Sequence, residues 1–187
     1  AANPAAHPTP APARPSLARP LMRLVLLLAF ALRAFHLDYQ SLWSDEGISL
    51  QRAVLPLAEL LRSLPVEHTP GYFVLLGAWV RLAGESDFAL RYLSLLSSVL
   101  SVALIYTLAR RLLAGPDAPV RPRLKSGLAQ AKPVETGCEG ALVSLIAALL
   151  LATSGFQVWY AQEARMYAAL LALSLVSTWA QWELLEG

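Results

Sequence analysis

Charge is what this sequence has least of. Only 15% of its 187 residues are Asp, Glu, Lys or Arg, whereas soluble domains carry about 25%. A water-facing surface is therefore hard to assemble. Cysteine is nearly absent, and the lone Cys138 excludes an internal disulfide and any thiolate zinc cluster. There are three histidines, and His7 lies in a proline-rich start, so no multi-histidine metal site can be built. Nor does one sign of charge prevail. Fifteen Lys and Arg against 13 Asp and Glu leave a net +2, too little for a nucleic-acid binder. No Walker-type loop and no GxGxxG string occurs, so a nucleotide-driven pump finds no support.

What is present is apolar. Fifty-six per cent of the residues are hydrophobic and the mean hydropathy is +0.50, which also excludes a disordered chain. The sequence reads as a membrane protein. Residues 1–20 hold six prolines and seven alanines, with Arg14 and Arg19 and no acid, and read as a disordered cytoplasmic tail. From residue 21 to the end, 21–187, the chain reads as one membrane domain. The apolar run 21–37 continues into Asp38 and Tyr39 without a small-residue cleavage site, so it reads as an uncleaved first span. Arg33 lies near its end, from where a long side chain can snorkel to the interface. Residues 92–113, 141–160 and 166–182 each approach the ~20 apolar residues a bilayer requires. Tyr72 to Leu82 is too short to cross. The expected fold is an all-α polytopic transmembrane bundle with four spans.

Charge placement sets the expected orientation. The tail through Arg23 carries three Arg, and the 114–140 connection with its flanking Arg110 and Arg111 carries six basic residues. The 37–91 loop carries four Arg against seven acids. Basic connections stay cytoplasmic, so 37–91 lies outside, and Gln162 to Arg165 lies on the same face. Parity agrees only if 72–82 does not span. Helical spacing of apolar residues between Pro56, Pro65 and Pro70 predicts amphipathic helices over 46–54, 56–63 and 71–83, lying along the membrane surface.

Three clusters carry chemistry. Trp43-Ser44-Asp45-Glu46-Gly47 reads as a helix start with Ser44 as cap. It reads equally as a carboxylate pair, one a general base and the other a metal ligand or orienting group. Glu67-His68-Thr69-Pro70-Gly71-Tyr72 is a polar turn, or an acid and a cation near a metal or phosphate. In Tyr160 to Tyr167, aromatic residues suit an interfacial belt. There Arg165, held close to the membrane surface by a short turn, is also placed to grip a phosphate. Gly84-Glu85-Ser86-Asp87 reads as a turn and cap before the second span.

Taken in order, Leu42 to Glu46, His68 to Tyr72, Gly84 to Arg91 and Gln162 to Tyr167 resemble the GT-C membrane glycosyltransferases. The likeness runs from about residue 21 to the C-terminus. It is to the bacterial branch similar to protein O-mannosyltransferases and aminoarabinose transferases. The resemblance implies an enzyme of the bacterial cytoplasmic membrane that moves a sugar from a polyprenyl-phosphate donor. The acceptor would be a lipid, glycan or protein hydroxyl on the external face, and the anomeric carbon would invert. By position, Asp45 looks like the catalytic carboxylate and Glu46 its partner. Glu67 and His68 sit where relatives place a metal- or phosphate-contacting pair. Glu163, Arg165 and Tyr167 look like part of the lipid-phosphate site. No cofactor is required by the likeness; a divalent ion held by Glu67 with Asp45 or His68 is the one addition it leaves open. Relatives often read His-Pro-Pro-Leu-Tyr where this chain has His68-Thr69-Pro70-Gly71-Tyr72. They also run to several hundred residues, so the chain reads as an N-terminal fragment, inactive alone. The competing expectation is a non-enzymatic multi-pass transporter or scaffold in which Asp45 only caps a helix.

Overall fold

Every regular element is helical among the residues that the structure, a computed structural model, describes: 17–65, 69–114 and 139–186. The Pro/Ala-rich stretch up to residue 16 and residues 115–138 lie outside them, as do Glu67 and His68. Helix α1 runs Ala18–Ala34 and starts three residues before the expected span. Pro20 falls in its first turn, where a missing N–H breaks no ladder bond. The long α5 (Asp87–Ala114) forms the centre, with α6 (Glu139–Thr153), α8 (Tyr167–Glu186), the short α7 (Gly155–Ala161) and α1 packed around it. Leu24, Leu27, Leu150 and Leu173 stay more than half exposed, the apolar coat that a bilayer covers.

Two corrections concern the spans. The run 141–160 is not one rod: α6 and α7 meet at Ser154 with their axes bent by 57°. Ser154 is extended there (φ −60°, ψ 114°), and the break strips carbonyls near the end of α6 of their helical partners. Arg33 takes two of them. Its Nη1 donates to the Ala152 carbonyl at 2.9 Å and its Nη2 to Leu151 at 3.2 Å, while Nε donates to Ser98 Oγ at 2.7 Å. Arg33 is thus fully buried and does not snorkel. A guanidinium offers five donors in a fixed fork, and the broken helix uses them. The second correction is the count. Helices α5 and α8 are long and apolar enough to cross, and the bent pair makes a third crossing if taken as one. At 17 residues α1 measures about 25 Å, so four full-length spans are not confirmed.

The helices of the 37–91 loop lie within two residues of expectation: α2 (Ser44–Ala53), α3 (Leu57–Ser63) and α4 (Pro70–Ala83). Pro56 and Pro70 set two of the starts, since proline suits the edge of a helix and not its interior. Ser86 accepts the Ala89 N–H at 3.2 Å and caps α5, as read from the sequence. Just before it Gly84 turns the chain at φ +88°, a conformation open to glycine. Ala53, Leu60, Phe73, Leu76 and Val80 bury a common core against Leu90 and Leu93 of α5.

Helices α2 and α4 touch backbone to backbone. A Cβ on Gly77 would stand 2.3 Å from the Ala53 carbonyl oxygen. Gly77→Ala should therefore destabilise the loop by about 1–3 kcal/mol through overpacking, read as a lowered melting temperature. Gly71→Ala, with open space around its Cβ, serves as the matched control and should leave melting unchanged. Equal melting of both variants would remove the close approach from the account.

Candidate active site

The start of α2 and the turn between α7 and α8 meet at one end of the bundle. Helix α2 begins one residue after Trp43, and Ser44 contributes no cap. Instead Glu46 reaches back, its Oε2 accepting the Trp43 N–H at 3.2 Å. A carboxylate three residues into a helix can close the first turn in this way. The same carboxylate accepts Arg91 Nε and Nη2 at 2.9 and 2.7 Å and the Ala164 N–H at 2.8 Å. Glu46 is 1% exposed. Burial opposes its charge, but the Arg91 hydrogen bonds and the Ala164 and Trp43 N–H groups outweigh that and hold its carboxyl below the usual range. Arg91 spends its remaining donors on the carbonyls of Leu37, Gln40 and Ser41. One buried ion pair thus ties the end of α1, the start of α2, α5 and the α7–α8 turn together.

Side chains alternate across this knot. Asp45 and Arg165 project to one side, where Arg165 Nη1 stands 3.1 Å from Asp45 Oδ2. Their cleft of about 280 Å³ is lined further by Ser49, Arg52, Tyr72 and Phe73. The Arg165 guanidinium lies 5.0 Å above the Tyr167 ring, and its carbonyl accepts the Ser94 hydroxyl at 3.4 Å. The Asp45 side chain is 56% exposed and that of Arg165 30%, so the pair contributes little to stability and opens readily to a ligand. Tyr72 is buried beside Ser94. Burial pushes its phenol above the ordinary value, leaving a neutral hydroxyl on the cleft wall.

The structure therefore brings together Asp45, Arg165 and Tyr167. It sets Glu46 behind them in the fastening pair, and turns Glu163 into a separate cavity lined with Trp43 and Trp159. The sequence reading missed Arg52 and Arg91. Arg52 was detectable, because Asp45, Ser49 and Arg52 recur at i, i+4 and i+7 and so share one helix face. Arg91 closes the Gly84 to Arg91 string of the resemblance, but its role was not legible, since its partners lie 45 to 54 residues away.

The family comparison falls on α4 and α5. Residues 67–120 match the family model described as dolichyl-phosphate-mannose-protein mannosyltransferase. The match indicates similarity to a family of membrane glycosyltransferases. No curated protein and no solved structure matches the chain. Asp45 and Arg165 lie outside the matched segment, yet α5 within it carries both Arg91, which holds Glu46, and Ser94, which holds Arg165.

Proposed function

We propose that the chain carries the catalytic end of a membrane glycosyltransferase. The enzyme transfers a sugar from a polyprenyl-phosphate donor to a hydroxyl acceptor on the external face, with inversion. What supports the reading is the Asp45–Arg165 pair at 3.1 Å on the wall of one cleft, beside a segment similar to the mannosyltransferase family. Arg165, backed by Tyr167 and joined by Arg52, binds the donor phosphate through charge-assisted hydrogen bonds. As the phosphate draws the guanidinium away, Asp45 is released to accept the proton of the attacking hydroxyl. The hydroxyl oxygen bonds to the anomeric carbon, the carbon–phosphate-oxygen bond breaks, and polyprenyl phosphate leaves with the electron pair. One displacement gives inversion. Among the described lining residues two guanidinium groups accompany Asp45, a set suited to an anion. Charge on the leaving phosphate is therefore offset by arginine.

Arg165→Lys tests the reading. It keeps the charge but loses the two-pronged fork, so kcat/KM for a polyprenyl-phosphate sugar should fall on the order of tenfold or more. The assay uses the full-length protein in membranes, with the anomeric configuration of the product read by NMR. Unchanged kinetics would take Arg165 off the phosphate, and a retained configuration would overturn the single displacement.

A further inference from the structure

Behind the Glu46–Arg91 pair lies the second cavity, of about 200 Å³, walled by Tyr39, Trp43, Trp159, Gln162, Glu163 and Arg91 among others. Several of its polar groups are spent. All five Arg91 donors are engaged, on Glu46 and on the carbonyls of Leu37, Gln40 and Ser41. Both Gln162 amide hydrogens go to the carbonyls of Arg33 and Phe35. Trp159 Nε1 donates to Glu163 Oε1 at 2.9 Å. Among the fully buried side-chain atoms of this wall, one is left over. Glu163 is 8% exposed, and its Oε2 is buried without a partner.

A buried carboxylate oxygen with no donor is costly, and Glu163 lines a cavity whose walls suit one. Trp43 and Trp159 meet edge to face, ring centres 6.3 Å apart at 79°, and each stays about half exposed at 51% and 56%. Two indole walls and an unspent carboxylate favour a cationic donor: ring faces attract an ammonium, and the carboxylate balances its charge. A neutral hydroxyl answers the hydrogen bond but not the charge. The volume is below the range of ordinary small-molecule pockets, about 300–1,000 Å³, and suits a small head rather than a whole ligand. Exposed tryptophans settle at headgroup depth, where ammonium groups of zwitterionic lipids lie.

We propose that this cavity binds a primary ammonium group, supplied by an ethanolamine-type lipid headgroup or by a small soluble amine. The inference does not depend on sugar transfer and is read by binding alone. The full-length protein in detergent is titrated calorimetrically with a short-chain phosphatidylethanolamine, with its phosphatidylglycerol counterpart, and with free ethanolamine. Saturable binding of the ethanolamine lipid and not of the glycerol lipid is expected. Binding of free ethanolamine alone supports the ammonium site and assigns a soluble source. Glu163→Gln keeps an acceptor oxygen but loses the charge, and should weaken binding on the order of tenfold or more, with melting unchanged. Equal affinity for the two lipid headgroups, or wild-type affinity in a folded Glu163→Gln protein, would overturn the proposal. The headgroup comparison needs no variant, so a folding defect cannot mask the answer.

Discussion

Asp45→Asn should lower sugar transfer by about 10²–10⁴-fold, the usual worth of a positioned general base, and leave the fold intact. The amide is nearly the same size, but it cannot take a proton from the acceptor. No hydrogen bond of the helix start depends on the lost charge, because Glu46 and not Asp45 closes the first turn of α2. The ion pair to Arg165 is half exposed and its loss costs at most about 1 kcal/mol. Removing one acid from a helix N-terminus adds a cost of about 0.3–1 kcal/mol. Transfer from a labelled donor, at matched expression and melting temperature, separates the possibilities. Retained transfer would reduce Asp45 to a partner of Arg165 and sink the proposed base.

Glu46→Ala is the second large effect, and it falls on stability. It leaves Arg91 buried without its counter-charge and orphans the Trp43 and Ala164 N–H groups. Breaking a buried pair from one side costs about 3–5 kcal/mol, so the variant should melt far below wild type. Glu46→Leu combined with Arg91→Met should recover part of that loss. Recovery stays incomplete, since the Leu37, Gln40 and Ser41 carbonyls also lose their donor. A double mutant as unstable as the sum of its singles would show no coupling between the two residues.

The same pair has a pH signature. The Glu46 carboxyl is depressed in the folded chain, so the unfolded state binds its proton first as pH falls. Its stabilisation is complete above the unfolded value near about 4.3 and is lost as pH drops through the lower native value. The gap in melting temperature between wild type and Glu46→Gln should therefore be constant from pH 7 to about 5 and shrink below about 4. A gap independent of pH would mean that Glu46 acts through shape rather than charge.

The surface helices were legible because proline punctuates them. Pro56 and Pro70 stand at helix starts, where proline is well tolerated, and the apolar spacing between them supplies the face by which α3 packs on α4. The bend at Ser154 left no comparable mark. Ser154-Gly155 lies inside a run without charge or proline, where hydropathy averages over it and a single rod is the natural reading. The two keystone arginines were opaque for another reason. Each satisfies carbonyls contributed by distant segments, and a carbonyl has no sequence signature. Glu163 shows the finer limit: motif order places it beside Arg165, but neighbouring residues face opposite ways, and only the folded turn decides which cavity each enters. Charge parity places the segments of Asp45 and Arg165 on one face of the expected bundle, without pairing the two.

Arg33 has a consequence for how the chain is made. A helix that carries an arginine into lipid bears about 2.5–3.5 kcal/mol at mid-span, less toward an end, and α1 leaves the ribosome before either of its remote partners. Ser98 arrives 65 residues later and the Ala152 carbonyl 119 residues later. At ordinary translation speed of about 5–20 residues per second, the second interval is roughly 6 to 24 s. During that time the first helix has an unsettled charge and no permanent berth. In the expected four-span bundle its final depth is fixed only when the broken helix arrives, so a later segment decides where an earlier one sits.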